Sequence, residues 1–75
     1  MSTANRPPTR PRVAAIDVVA EPMLRLGATA AEARDKAAFL LSLLNIPPRL
    51  WPLPPATFSG GEQQRVNIAR SLVVD

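Results

Sequence analysis

Phe58-Ser59-Gly60-Gly61-Glu62-Gln63-Gln64-Arg65-Val66-Asn67-Ile68-Ala69-Arg70 is the run that decides the fold. Ser59 and Glu62 stand at capping-box spacing. The Ser59 hydroxyl is placed to accept the Glu62 backbone N–H, and the Glu62 carboxylate to accept the N–H of Ser59. Gly60 and Gly61 carry no side chains, so another molecule can approach the backbone there. A helix start with free N–H groups and a positive dipole end attracts anions, phosphate above all. Beyond the corner, Val66, Ala69, Leu72 and Val73 recur at helical spacing and predict an apolar stripe on the last helix.

Working backwards, Pro52, Pro54 and Pro55 predict an extended approach that delivers Phe58 and Ser59 to that helix. Pro48 to Leu53 predicts one short turn, with Leu50, Trp51 and Leu53 packed against the helices. Trp51 is isolated and flanked by leucines, so it reads as a core plug and not as a base-stacking platform. Thr29-Ala30-Ala31-Glu32 is a second capping box, and a helix is expected from Ala30. Ala33, Ala37, Leu40, Leu41 and Leu44 line one side of it, and Arg34, Asp35 and Lys36 the wet side. Glu32 and Lys36 are spaced for an i, i+4 ion pair. Asn45 closes the helix, and Pro47-Pro48 forbids its continuation. Ile16, Val19, Ala20, Met23 and Leu24 predict a helix before it, kinked or split at Pro22 and stopped at Gly27. The fold class expected is all-α, with three main helices and a short turn, and no clear strand.

Composition narrows the chemistry. The chain has 75 residues, with no cysteine and no histidine. Disulfides, thiolate metal sites and imidazole general bases are therefore excluded within it. At this length one small domain with a marginal core is expected. Net charge is +3, and eight of the nine basic residues are arginine. Arg6, Arg10 and Arg12 cluster among Pro7, Pro8 and Pro11. Without interleaved aromatics, residues 1–12 read as a disordered, basic, Pro-rich leader, and no nucleic-acid partner is expected. No secretory signal pattern is visible. The longest apolar run, Ala37 to Leu41, is far too short for a membrane span, so a cytoplasmic location is expected.

The thirteen-residue run resembles the signature motif of ABC-type ATPases, whose usual form is Leu-Ser-Gly-Gly-Gln, followed by that family's signature helix. Val13 to Val18, with Asp17-Val18, is similar to the helix that opens the family's helical subdomain. The order of helix, Gly27 turn, helix, Pro-rich loop and signature helix is also similar. The resemblance covers residues 12–75 and implies a partial ABC ATPase domain over 13–75. Within the family, Asp17-Val18-Val19-Ala20-Glu21-Pro22, Leu44-Asn45-Ile46-Pro47, Arg49-Leu50-Trp51 and Leu53 through Glu62 resemble the ATP-binding L subunit of the phosphonate carbon–phosphorus lyase system. That implies a role in phosphonate breakdown, with another ABC ATPase subunit or C–P lyase proteins as partners.

The resemblance implies ATP as the ligand, sandwiched between two nucleotide domains. Ser59 would offer its hydroxyl and Gly61 its N–H to the γ-phosphate in trans. Gly60 would permit the approach, and Glu62 would lie near the ribose while capping the helix. The given sequence carries no Gly-Lys-Ser/Thr phosphate loop, glutamine loop, Asp-Glu strand or switch histidine. No catalytic or metal-binding residue is therefore assigned, magnesium would be supplied elsewhere, and the chain is expected not to hydrolyse ATP alone. A helix terminus contributes about 0.3–1 kcal/mol at an exposed site, whereas millimolar binding requires about 4 kcal/mol. An isolated signature is thus expected to hold ATP very weakly. Two organisations satisfy these residues: a fragment of an ATP-binding subunit, or a stand-alone helical module that docks on an intact ATPase. In either, the stripe from Val66 to Val73 is expected to be exposed for want of a covering sheet, and to favour aggregation.

Overall fold

The computed structural model describes residues 13–74. The expected leader, residues 1–12, lies outside the described residues. Three α-helices form the body: α1 (Ala15–Arg25), α2 (Ala30–Leu43) and α3 (Gly60–Leu72). No strand occurs among the described residues, so the chain is all-α.

Each of the first two helices ends on a residue with positive φ. Gly27, at φ 98°, follows α1, and Asn45, at φ 64°, follows α2. Around Gly27 the backbone closes as a Schellman motif: Gly27 N–H donates to Leu24 O at 3.1 Å and Ala28 N–H to Met23 O at 3.1 Å. Asn45 repeats the motif, with Asn45 N–H to Ser42 O at 3.0 Å and Ile46 N–H to Leu41 O at 2.9 Å. Asparagine tolerates this left-handed conformation better than most side chains, which is why it stands where glycine stands in the first stop.

Pro22 does not split the first helix, which runs unbroken through it to Arg25. Proline deletes a single ladder bond, here close to the C-terminus. The connector between α2 and α3 contains two 3-10 turns, Pro48–Leu50 and Pro55–Thr57, where one turn and an extended arm were expected. The φ that proline fixes suits the first position of a tight turn as well as it suits an extended chain. Thr57 N–H closes the second turn on Pro54 O at 3.0 Å, and the Thr57 hydroxyl donates to the same oxygen at 2.8 Å.

All three helices pack on one another around a single core of Ala15, Val19, Ala20, Ala33, Ala37, Leu40, Leu41, Ile46, Phe58, Val66, Ala69 and Val73. The α3 stripe is therefore inside: Val66, Ala69 and Val73 are at most 2% exposed. The expectation of a bare stripe over Val66 to Val73 is corrected, because α1 and α2 supply the cover that was assigned to a missing sheet. Exposed apolar side chains lie elsewhere, most of all at Leu26 (75%), Phe39 (61%) and Leu43 (60%). Leu50 and Trp51 pack on the core as expected, but Leu53 is 43% exposed. Trp51 is half-buried, and its indole N–H donates to Ile46 O at 2.9 Å, which fits a plug with a satisfied polar end.

Ion pairs tie the helices from outside. Arg34 on α2 meets Asp17 on α1 at 3.1 Å, and Arg70 on α3 meets Glu21 on α1 at 3.5 Å. The expected Glu32–Lys36 pair is not among the ion pairs of the described residues. The Glu32 carboxylate is instead turned back to cap its own helix, accepting Thr29 N–H at 3.0 Å.

Candidate functional site

The site residues named from sequence are contiguous, and the structure places them on one turn. Ser59 is the N-cap of α3, in extended backbone at φ −64° and ψ 164°. Its hydroxyl accepts Glu62 N–H at 3.3 Å, and the Glu62 carboxylate accepts Ser59 N–H at 3.3 Å. The capping box is thus formed in both directions. Gly60 and Gly61 are the first two helical residues, and both are exposed.

Phe58 explains why this turn stands where it does. Its ring is 8% exposed and belongs to the core, so the residue before the cap is anchored inside while the cap faces out. Gln63 adds a bond that sequence reading missed. Its side-chain amide donates to Phe58 O at 3.3 Å, bracing the corner from the helix side. The only sequence signal for it is an amide side chain four residues after the cap, and that pattern is too common to stand out.

The N-termini of the three helices differ in a way that isolates the corner. Ala14 caps α1 without a side-chain bond. The first N–H groups of α1 go instead to the connector: Ala15 to Leu53 O at 2.9 Å and Ile16 to Trp51 O at 3.1 Å. Helix α2 begins Thr29-Ala30-Ala31-Glu32 with a full capping box. Helix α3 begins with the same box, with glycines where α2 has alanines. Neither Gly60 nor Gly61 has a positive φ. A Cβ placed on either would meet nothing within 4 Å among the described residues. Among the described residues, their N–H groups find no acceptor.

This arrangement suits an anion with several oxygens. Two outward N–H groups, a hydroxyl and the positive end of a thirteen-residue helix converge on bare backbone. The Ser59 oxygen is used as an acceptor by the cap, which leaves its own O–H available to donate. Among the described residues no group of three or more His, Cys, Asp or Glu is arranged to hold a metal ion. No helix among them is long and apolar enough to cross a membrane.

No family model matches the chain. Individual curated proteins do. A lipoprotein-releasing system ATP-binding protein LolD from Hyphomonas neptunium is 43% identical over 65 residues, covering 87% of this chain and 28% of that protein. LolD of Aquifex aeolicus is 44% identical over 62 residues, with 83% and 27% covered. A macrolide export ATP-binding/permease protein MacB from Brucella melitensis is 44% identical over 63 residues, with 84% of this chain and 10% of that protein covered. The chain thus spans under a third of the length of these relatives. They are ABC transporter ATP-binding proteins, and the similarity supports the ABC ATPase family for this chain. It does not support the C–P lyase L subunit. The runs that suggested that subunit include residues with plain local roles, Asn45 at a helix stop and Ser59 and Glu62 in a cap.

Proposed function

We propose that this chain is a helical-subdomain segment of an ABC-type ATP-binding subunit, with its partial domain over 13–75. In this reading Ser59, Gly60 and Gly61 contact the γ-phosphate side of ATP held by a second nucleotide-binding domain, and Glu62, which caps their turn, lies on the ribose side. The observation that carries it is the contrast between the two capping boxes. Glycine is a poorer helix former than alanine, by roughly 0.5–1 kcal/mol in a helix interior and less at the first turn. Nothing among the described residues requires glycine at 60 or 61. A partner that must reach the backbone there supplies the requirement.

In this role Ser59 O–H and the N–H groups of Gly60 and Gly61 donate to phosphate oxygens, while Glu62 holds the cap rigid. Fixed donors meet charge without reorganising, which is the electrostatic contribution such a corner can make. ATP and its magnesium ion would sit on the partner's phosphate loop, and hydrolysis would belong to the pair. The relatives' names favour a release or export system over phosphonate breakdown for the parent subunit.

The test pairs this chain with an intact ABC ATP-binding subunit whose own signature serine is replaced by arginine. Amide shifts at Gly60 and Gly61 are followed by NMR as ATP is added. Shifts are expected only when subunit and ATP are both present, and Ser59→Arg is expected to abolish them. Saturation at micromolar ATP without the subunit would overturn the reading.

A further inference from the structure

We propose that the connector from Ile46 to Phe58 is a stiff strap that makes the first turn of α1 and the entry to α3 open as one unit. The proposal concerns the unliganded chain and stands whether or not the Ser59 corner contacts a nucleotide.

The argument begins at α1. Its N-cap is Ala14, which has no side-chain oxygen to offer. The donors of Ala15 and Ile16 are satisfied by the carbonyls of Leu53 and Trp51, far away in sequence. A helix start without its acceptors frays. The first turn of α1 therefore depends on the strap staying in place.

The strap has two anchors and no hinge. Trp51 is half-buried and packs on the core, and its indole N–H closes on Ile46 O, at the strap's own buried start, at 2.9 Å. Phe58 is in the core, with its N–H on Pro55 O at 2.9 Å. Between them lie Pro52, Pro54 and Pro55, each with a ring-locked φ. Two 3-10 turns and the doubly used Pro54 carbonyl fix most of what remains. No glycine occurs between Gly27 and Gly60, so no residue there relaxes the backbone cheaply. Displacing Trp51 must then move Phe58, and the converse holds. The strap ends one residue before the Ser59 cap, so the corner inherits its position from α1.

Native-state hydrogen exchange on the whole chain tests this. Trp51→Phe keeps the aromatic plug and deletes the indole donor. Exchange at Ala15 and Ile16 is expected to quicken by roughly three- to tenfold, the loss of one part-buried hydrogen bond. Phe58 and Gln63 are expected to quicken by the same factor, with Ala37 and Leu41 in mid-α2 unchanged. Pro54→Gly with Pro55→Gly inserts a hinge. In that background Trp51→Phe is expected to quicken Ala15 and Ile16 alone. The proposal is overturned if Phe58 and Gln63 do not respond in the first variant. It is equally overturned if α2 responds as strongly as they do, or if their response persists through the diglycine hinge.

Discussion

Ser59 and Glu62 exchange hydrogen bonds across the first turn of α3, hydroxyl accepting from N–H and carboxylate accepting from N–H, each at 3.3 Å. This reciprocity lets one serine cap a helix and still present a donor outward. Stability and anion contact can therefore be separated by substitution. Ser59→Ala removes both and is expected to lower stability by about 0.5–2 kcal/mol. Ser59→Asp keeps an N-cap acceptor but turns a negative charge toward the phosphate. Its denaturation midpoint is expected to stay near that of the parent chain while ATP-dependent shifts at Gly60 and Gly61 disappear. An aspartate variant that retains those shifts would remove Ser59 from the contact.

The two glycines give the opposite separation. Gly60→Ala and Gly61→Ala place a Cβ in open space and recreate the Ala-Ala start of α2. Each is expected to stabilise the chain, by up to about 0.5–1 kcal/mol. Each is also expected to weaken association with an ATP-loaded partner, because the new methyl group would stand where the proposed contact needs bare backbone. Urea midpoints and the NMR titration together read both effects. A destabilised Gly61→Ala chain would mean that the glycine serves the fold.

Much of this fold was legible because its signals are local. Thr29-x-x-Glu32 and Ser59-x-x-Glu62 announce helix starts through side chains three residues apart, and both boxes form. Gly27 and Asn45 mark helix stops for the same reason. What was hidden depends on partners distant in sequence. Leu53 and Trp51 cap α1 through backbone carbonyls, which no residue type betrays. The cover over Val66, Ala69 and Val73 comes from α1 and α2, and an amphipathic stripe does not say what faces it. The corner's residues could be named from sequence. That a Cβ on either glycine meets no other described residue is a matter of tertiary surroundings, which the Gly-Gly pair itself does not encode.

Glu21 makes the fold sensitive to acid. Its carboxylate lies 3.1 Å from Arg25 and 3.5 Å from Arg70. The field of Arg25 does most to hold its pKa below the ordinary 4.5, opposed by desolvation and helped by the hydrogen bonds from Arg70 and Arg25. The folded value is depressed relative to the unfolded one. The stabilisation is therefore complete above about pH 4.5 and is lost as pH falls through the lower folded value. The side chain is about half exposed, so the effect is modest and screened by salt. Melting temperature from pH 7 to pH 3 is expected to fall further below pH 4.5 for the parent chain than for Glu21→Gln. High salt is expected to narrow the difference. Parallel acid limbs would show that Glu21 carries no part of it.

Substitutions on the two sides of α2 should behave as if they belonged to different molecules. Leu41 is fully buried and among the largest side chains of the core. Leu41→Ala removes its packing and leaves a cavity, typically 2–5 kcal/mol. A domain of this size has only about 3–9 kcal/mol in total, so loss of the cooperative transition at 37 °C is expected. Phe39 and Leu43 stand on the outer side, both at least 60% exposed. Phe39→Ser with Leu43→Ser removes apolar surface from water without opening the core. The melting temperature is expected to change little, while scattering at high protein concentration falls. Aggregation that persists in this variant but disappears on substituting Ile68, an exposed residue of α3, would return the liability to the helix where the sequence pattern first placed it.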